Sequence, residues 1–470
     1  MEPDSHRPDW VRDAVFYQIF PDRFARDDRP DPETTPPPGQ GAAEGAGDGA
    51  GVAWDALPTR ENFFGGTLAG ITRHLGHLTD LGVNAIYLTP IFAADTNHRY
   101  DTTDYYRLDP RLGTDRDFDV FLAGCHERGI RVVLDAVFHH CGWGHWAFQD
   151  VVRNGPASAY ADWFRIDSYP VRAEPTPTYA TCSGCWYLPK LNVDNPELRA
   201  HLFGAVRQWT ARGVDGWRLD VPYMMDNPGF WEQFRGVVRE VNPEAYIVAE
   251  VWDFAGDWAT ATTSDAAMNY QLRAALLAFL VDRRTGADAF AADAARIASG
   301  VGDGADHMLN LLASHDTARL RTTCGGEPAL SHLAVGLLLA LRGIPMLYYG
   351  DEVGMTGFND PECRATMPWH SSDWDQQTLA QVQQLVRIRR GSIALRRGSE
   401  LVTPVTDDIV RVERRHPEQC VVVYGNRAAT PATVTLTSGA CDLLTRQHLP
   451  AGPLHLPGRG IRFLELVGES

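Results

Sequence analysis

Short runs of apolar, often β-branched residues recur along the chain, and each is followed by a segment whose apolar residues fall three and four apart. The runs are AVFYQIF (14–20), VNAIYLTPIF (83–92), IRVVLDAVF (130–138), GWRLDV (216–221), AYIVAEVW (245–252), MLNLLASHD (308–316) and IPMLYYGDE (344–352). Continuous apolar runs of this length predict strands buried on both faces, as in a parallel sheet covered by helices. The intervening pieces, such as LAGITRHLGHLTDLG and RDFDVFLAGCHERG, have helical spacing and stop at glycine. With an eighth strand expected near Ala266–Leu272, the pattern predicts an α/β fold, a (β/α)8 TIM barrel. No GxGxxG follows the first strand, so a doubly wound dinucleotide-binding sheet has no support.

Two stretches interrupt the alternation. Residues 27–60 are rich in Pro, Gly and Ala and predict a long, partly mobile loop after the first strand. Residues 141–196 are too long for a simple loop and lack a strong helix pattern, which predicts a small lobe inserted after the third strand. Beyond Arg397 the chain turns to short valine-rich alternations such as CVVVYGNR and ATVTLTS, the mark of a small all-β unit. The expected division is a catalytic barrel over 1–140 and 197–397, a lobe over 141–196 and a β-sandwich over 398–470.

Composition narrows the function. Acidic residues outnumber basic ones 60 to 43, a net charge of −17. Nucleic acid and anionic membranes need a positive surface and are disfavoured as partners, whereas a neutral substrate is compatible. The longest apolar run, Leu333–Leu341, ends at Arg342, well short of a membrane span of roughly 18 residues. The amino terminus shows no basic region followed by an apolar one, which points to a cytoplasmic address. Eight scattered cysteines fit a reducing compartment. Cys182 and Cys185 form one CSGC pair, which without a second pair at zinc-finger spacing reads as two free thiols in a loop.

In a barrel of this kind chemistry sits at the carboxyl ends of the strands. The residues closing the apolar runs there are acidic: Asp135, Asp220, Glu250 and Asp316. One buried acid is often an ion-pair partner, and Arg218 would suit Asp220 in that role. Four acids at equivalent positions point instead to paired carboxylates doing acid, base and nucleophile work on a glycosidic bond. Tyr100, Phe138, Trp143, Trp217 and Trp252 offer flat faces to sugar rings. The stretch LDAVFHHCGWGH (134–145) holds the residue types of a zinc site. Neighbours along a strand face opposite sides, however, so His139 and His140 are not expected to share a ligand.

The motifs DAVFHH (135–140), GWRLDVP (216–222), EVWD (250–253) and SHD (314–316), in this order and on predicted strands, resemble those of glycoside hydrolase family 13, the α-amylase family. NHRYDTTDY (97–105), LPKLN (188–192) and YYGDEVGMTGFNDPECR (348–364) are similar to the neopullulanase, cyclomaltodextrinase and maltogenic amylase subgroup. The resemblance implies a retaining hydrolase of α-1,4-glucosidic bonds in short or cyclic maltooligosaccharides. Asp220 would be the nucleophile, Glu250 the general acid and base, and Asp316 the carboxylate that steadies the distorted sugar. Arg218 would orient Asp220, and Asp135 would support it. Tyr100 would stack beneath the ring, and His98, His140 and His315 would bind its hydroxyls. Asp360 and Arg364 would close the far side, and Trp252 would wall the acceptor side.

The resemblance implies no cofactor. Most relatives in the subgroup carry a β-sandwich before the barrel, whereas only a short tail precedes Trp10, so the likeness is to the subgroup's short members, including enzymes acting on cyclic maltosyl-maltose. The small oligosaccharide substrate is the expected partner, with a homodimer left open. The family's calcium loop looks degraded, since RFARDDRPDP offers Asp27, Asp28 and Asp31 but places Arg26 where an amide ligand is expected. Imidazole at His139, where the family has asparagine, likewise argues against calcium, and no metal ligand is assigned. A transglycosylase or a sucrose- or trehalose-type isomerase on the same barrel, a non-catalytic carbohydrate-binding relative and a metalloenzyme barrel remain as alternatives.

Overall fold

The computed structural model describes residues 6–27, 52–227 and 229–467. Eight parallel strands form its centre: β1 Phe16–Ile19, β2 Ala85–Leu88, β3 Arg131–Ala136, β4 Gly216–Leu219, β5 Tyr246–Ala249, β6 Ala266–Ala267, β7 Leu309–Asn310 and β8 Ile344–Tyr348. Each pairs with its neighbour in sequence except β6 with β7, and β1 pairs with β8. The ring closes between β6 and β7 through a single parallel bridge, Met268 to Leu309, with the Asn269 N–H donating to the Leu309 carbonyl at 2.8 Å. This is the (β/α)8 barrel that the apolar runs predict, including the eighth strand at Ala266. Most of the strand residues are fully buried, as expected where helices cover the outside and side chains fill the middle.

Local chemistry sets the helix starts. Thr114 and Asp117 make a reciprocal capping box at the head of α1 (Asp115–Glu127), and the Asn195 side chain accepts from the Glu197 and Leu198 N–H groups at the head of α2 (Pro196–Ala211). The glycine opening β4 answers a steric demand, because a Cβ on Gly216 would lie 2.2 Å from the Tyr246 carbonyl oxygen. The short strand β6 is held from outside the ladder. Asp265, fully buried, accepts from Arg235 and Arg239 of α3 (Gly229–Val241) at 2.7 Å each and from the Ile247 N–H at 2.8 Å.

From Ser399 onward the strands are antiparallel and form a six-stranded sheet, with a separate pair Ala432–Leu436 and Gly452–Leu456. Alternation sorts their side chains. Val410, Val412, Val421, Val423 and Phe463 join the barrel's core, while Ile409, Val422, Tyr424 and Leu464 pack with Val434, Leu436, Leu454 and Leu456. No helix among the described residues is long and apolar enough to cross a membrane.

Two sequence expectations change, and a third falls largely outside the described residues. The lobe after β3 contains a helix, Trp146–Asn154, in which the His145 side chain accepts from the Ala147 N–H and whose buried face is Ala147, Phe148 and Val151. Its start lacks the usual Ser, Thr, Asp or Asn signal. The run 308–316 is a strand only at Leu309–Asn310, because Ser314 and Thr317 bond each other's backbone and turn the chain. Most of the loop expected over residues 27–60, with Asp28 and Asp31, lies outside the described residues. Of its ends, Asp27 pairs with Arg73 at 3.1 Å, and Arg26 donates to the Phe64 carbonyl at 2.6 Å.

Candidate active site

The four acids expected at strand ends converge on one mouth of the barrel. Asp135 lies in β3 directly opposite Arg218 in β4, so parallel register points both side chains the same way. Asp220 follows Arg218 by two residues and shares its face. Beyond the strands the ladder continues, with the Asp220 N–H donating to the Ala136 carbonyl at 3.2 Å and the Glu250 N–H to the Leu219 carbonyl at 3.0 Å. Asp316 reaches the same mouth from the turn after β7.

Arg218 is the hub. Its Nη1 lies 2.8 Å from both Asp135 Oδ1 and Asp220 Oδ1, and its Nη2 lies 2.9 Å from Glu250 Oε2. All four residues are 5% exposed or less. The Glu250 carboxylate also accepts from the Val221 N–H and the Trp252 indole N–H, each at 3.0 Å. That first bond requires an unusual backbone, since Val221 has φ 33° and ψ 50°, a left-handed conformation that a β-branched residue adopts only under constraint. Three buried carboxylates around one guanidinium exceed its charge. Desolvation, with the neighbouring Glu250, Asp135 and Asp316, therefore pushes the Asp220 carboxyl well above the usual range, although Arg218 opposes the shift. Burial raises Asp135 in the same way. The cluster is built to retain a proton.

A second layer fixes the first. The Tyr87 and Tyr100 hydroxyls donate to Asp135 Oδ2 at 2.6 and 2.8 Å. Gln18 lies 2.7 Å from His315 Nδ1, and Tyr100 Oη lies 2.7 Å from His315 Nε2. If the Gln18 amide is the donor, His315 carries its proton on Nε2, facing Tyr100 and also Asp316 Oδ2 at 3.1 Å. Arg364 ties Asp316 at 3.1 Å to Asp360 at 3.3 Å. His98 stands beside Tyr100, whose N–H it accepts at 3.0 Å. Burial lowers His98 and His140 to about 3 and His315 well below its ordinary value, so the imidazoles at this mouth are neutral at physiological pH. Neutral rings both donate and accept, which suits hydroxyls better than charged groups.

Among the aromatics, Tyr100 borders the acids, and Trp252 stacks on Tyr270 at 3.9 Å while remaining 40% exposed. Phe138 and Trp217, expected as sugar platforms, are instead core residues. Phe138 packs on Tyr105 and Phe234, and Trp217 donates to the Thr210 hydroxyl at 3.1 Å. Trp143 packs within the lobe against Phe148, Tyr179 and Trp186. Sequence reasoning missed Tyr87 and Gln18, and the available signal was a polar group inside an otherwise apolar strand. It also missed the half-exposed Tyr223, whose phenol is raised by burial first and then by the charges of Glu250 and Asp220.

His139 and His140 do not face opposite sides. Strand β3 ends at Ala136, so alternation no longer governs them, and their Nδ1 atoms lie 3.3 Å apart.

The family model for the alpha-amylase catalytic domain matches residues 18–389. A cyclomaltodextrinase of Geobacillus thermopakistaniensis is 40% identical over 453 residues, covering 94% of this chain and 74% of that protein. An intracellular maltogenic amylase of Bacillus subtilis is 36% identical over 457 residues, covering 94% and 74%. In structure, the cyclic alpha-maltosyl-(1→6)-maltose hydrolase of Arthrobacter globiformis, in complex with that sugar, superposes with a TM-score of 0.89 at 43% identity, covering 98% of this chain and 99% of that one.

Proposed function

Because the chain belongs to the alpha-amylase family, we propose that it is a retaining hydrolase of α-1,4-glucosidic bonds in cyclic and short linear maltooligosaccharides. One observation carries the reading: a single buried guanidinium holds Asp220 and Glu250 on its two nitrogens, at 2.8 and 2.9 Å. Two carboxylates on one fork suit the spacing of about 5–5.5 Å that a covalent glycosyl-enzyme requires, rather than the wider gap that admits a water.

In this reading the sugar enters over Tyr100, and its hydroxyls meet the neutral rings of His98, His140 and His315. Glu250 gives its proton to the glycosidic oxygen while Asp220 attacks the anomeric carbon, forming a β-glycosyl ester. Glu250, now ionised, takes a proton from water, and the water oxygen displaces Asp220 with net retention. Asp316, tied to Arg364 and Asp360, binds hydroxyls of the flattened ring and favours its oxocarbenium-like charge. Trp252, whose indole N–H already holds Glu250, offers its exposed face to the leaving or accepting sugar. That face supports a second reading, sugar transfer in place of hydrolysis, which product analysis at high sugar concentration would separate.

The preferred sugar follows from the likeness over 98% of the chain to the cyclic maltosyl-maltose hydrolase. In a panel of that cyclic tetrasaccharide, cyclodextrins, pullulan, panose and maltotriose, kcat/KM should be highest for the cyclic tetrasaccharide, by about tenfold or more over cyclodextrins. A preference for pullulan, or no turnover of any α-glucan, would defeat the proposal. A cytoplasmic enzyme is part of the same reading, supported by eight cysteines outside any disulfide and by the intracellular relative. A homodimer is also part of it, to be read by light scattering.

A further inference from the structure

Where the inserted lobe meets the barrel, His139, His140 and Cys182 bring their ligand atoms within 4.8 Å of one another, and all three residues are buried. Nothing in the catalytic scheme uses His139 or Cys182. We propose that these three side chains form a structural zinc site that fastens the lobe to the barrel beside the catalytic carboxylates.

Geometry carries the proposal. The two Nδ1 atoms face each other at 3.3 Å, a long distance for a hydrogen bond between rings that have one proton each. Two nitrogens on one tetrahedral zinc, each at about 2.0–2.1 Å, stand roughly 3.3–3.4 Å apart. The two rings are only 1% and 3% exposed, so the facing nitrogens are shielded from solvent. Two imidazoles and a thiolate form a borderline-soft donor set that prefers zinc over calcium or magnesium. Binding would release the Cys182 proton to solvent, and that sulfur would close the remaining gap by about 1 Å. The nearby cation, Lys190, is neutralised by Asp226 at 2.9 Å. A fourth position is left to water or to Cys185, which stands across a turn closed by its N–H to the Cys182 carbonyl at 2.8 Å.

The backbone makes the same junction. The Leu191 N–H donates to the His139 carbonyl at 3.0 Å, and the Cys141 N–H to the Pro189 carbonyl at 3.1 Å. An ion here would lock His140 with Nδ1 on the metal and leave Nε2 for the sugar.

The test uses the full chain, purified without chelator and then loaded with zinc or cobalt. Elemental analysis should give one zinc per chain, and the cobalt form should show a thiolate-to-metal charge-transfer band with intense visible bands of tetrahedral coordination. Cys182→Ser and His139→Asn should each lose both signals, and a chelator should lower the Tm of the wild type only. Substoichiometric zinc with no thiolate band in the wild type would overturn the site, as would a band that survives Cys182→Ser. Because the decisive spectrum belongs to the unaltered chain, a variant that folds poorly does not obscure the result.

Discussion

Asp220→Asn should lower kcat on a maltooligosaccharide by about 10⁴-fold or more, and Glu250→Gln by about 10²–10⁴-fold. The two losses differ in kind. Asparagine at 220 cannot form the glycosyl ester, so no choice of leaving group restores turnover. Glutamine at 250 cannot donate or accept the proton, but it leaves the nucleophile intact. A maltosyl fluoride, whose departure needs little acid, should therefore regain the first step in Glu250→Gln. Azide, which needs no base, should then release a glycosyl azide with the substrate's configuration. Rescue of Asp220→Asn with retention, or near-normal hydrolysis by either variant, would refute the assignment of nucleophile and acid.

The second large effect falls on Arg218. Replacing it with Met removes the one cation shared by Asp135, Asp220 and Glu250. Breaking a buried ion pair by deleting one partner costs about 3–5 kcal/mol near neutral pH. The cost should depend on pH in a definite direction. Asp220 and Asp135 already hold their protons more tightly than unfolded carboxyls, and losing the guanidinium raises them further. For a carboxyl raised by folding, the penalty is complete above the folded value and vanishes below the unfolded one, about 4. The Tm gap between wild type and Arg218→Met should thus be widest near pH 7.5 and narrow steadily toward about pH 5. A gap that stays constant or widens on acidification would show that Arg218 acts by packing alone. If Asp220 is the nucleophile, its raised carboxyl should place the acid limb of wild-type kcat/KM above the roughly 3.9 of a free aspartate, since the attacking group must be ionised.

The barrel was legible because parallel strands leave a plain mark: an unbroken apolar run that ends in the residue the chemistry needs. Even Ala266–Ala267, two residues long, lay inside the expected window. The acids stood out for the same reason, being polar where the run stops. What escaped were facts that depend on neighbours distant in sequence. Tyr87 and Gln18 read as ordinary strand residues until Asp135 and His315 are placed against them. Phe138 and Trp217 carry the right ring type, but the helices outside the barrel claim them. Strand alternation does not reach His139 and His140, because the strand ends at Ala136. The helix Trp146–Asn154 starts on a histidine, a cap that propensity alone does not announce.

The closing seam of the barrel divides the catalytic groups unequally. Asp135, Asp220 and Glu250 stand on adjacent full ladders, whereas Asp316 follows β7, whose backbone meets that of β6 at one parallel bridge, with the Asn269 side-chain amide donating to Asn310 Oδ1 at 2.9 Å beside it. A ring opens where its cross-links are fewest, so thermal breathing should begin here and move Asp316 relative to the other three. The Asn269 amide should exchange with solvent faster than the Asp220 and Glu250 amides, and slow exchange at Asn269 would contradict this. Asp316, to which the proposed function gives the distorted sugar, thus follows the seam with the fewest backbone links, and motion of the ring itself should shift it against the other three acids.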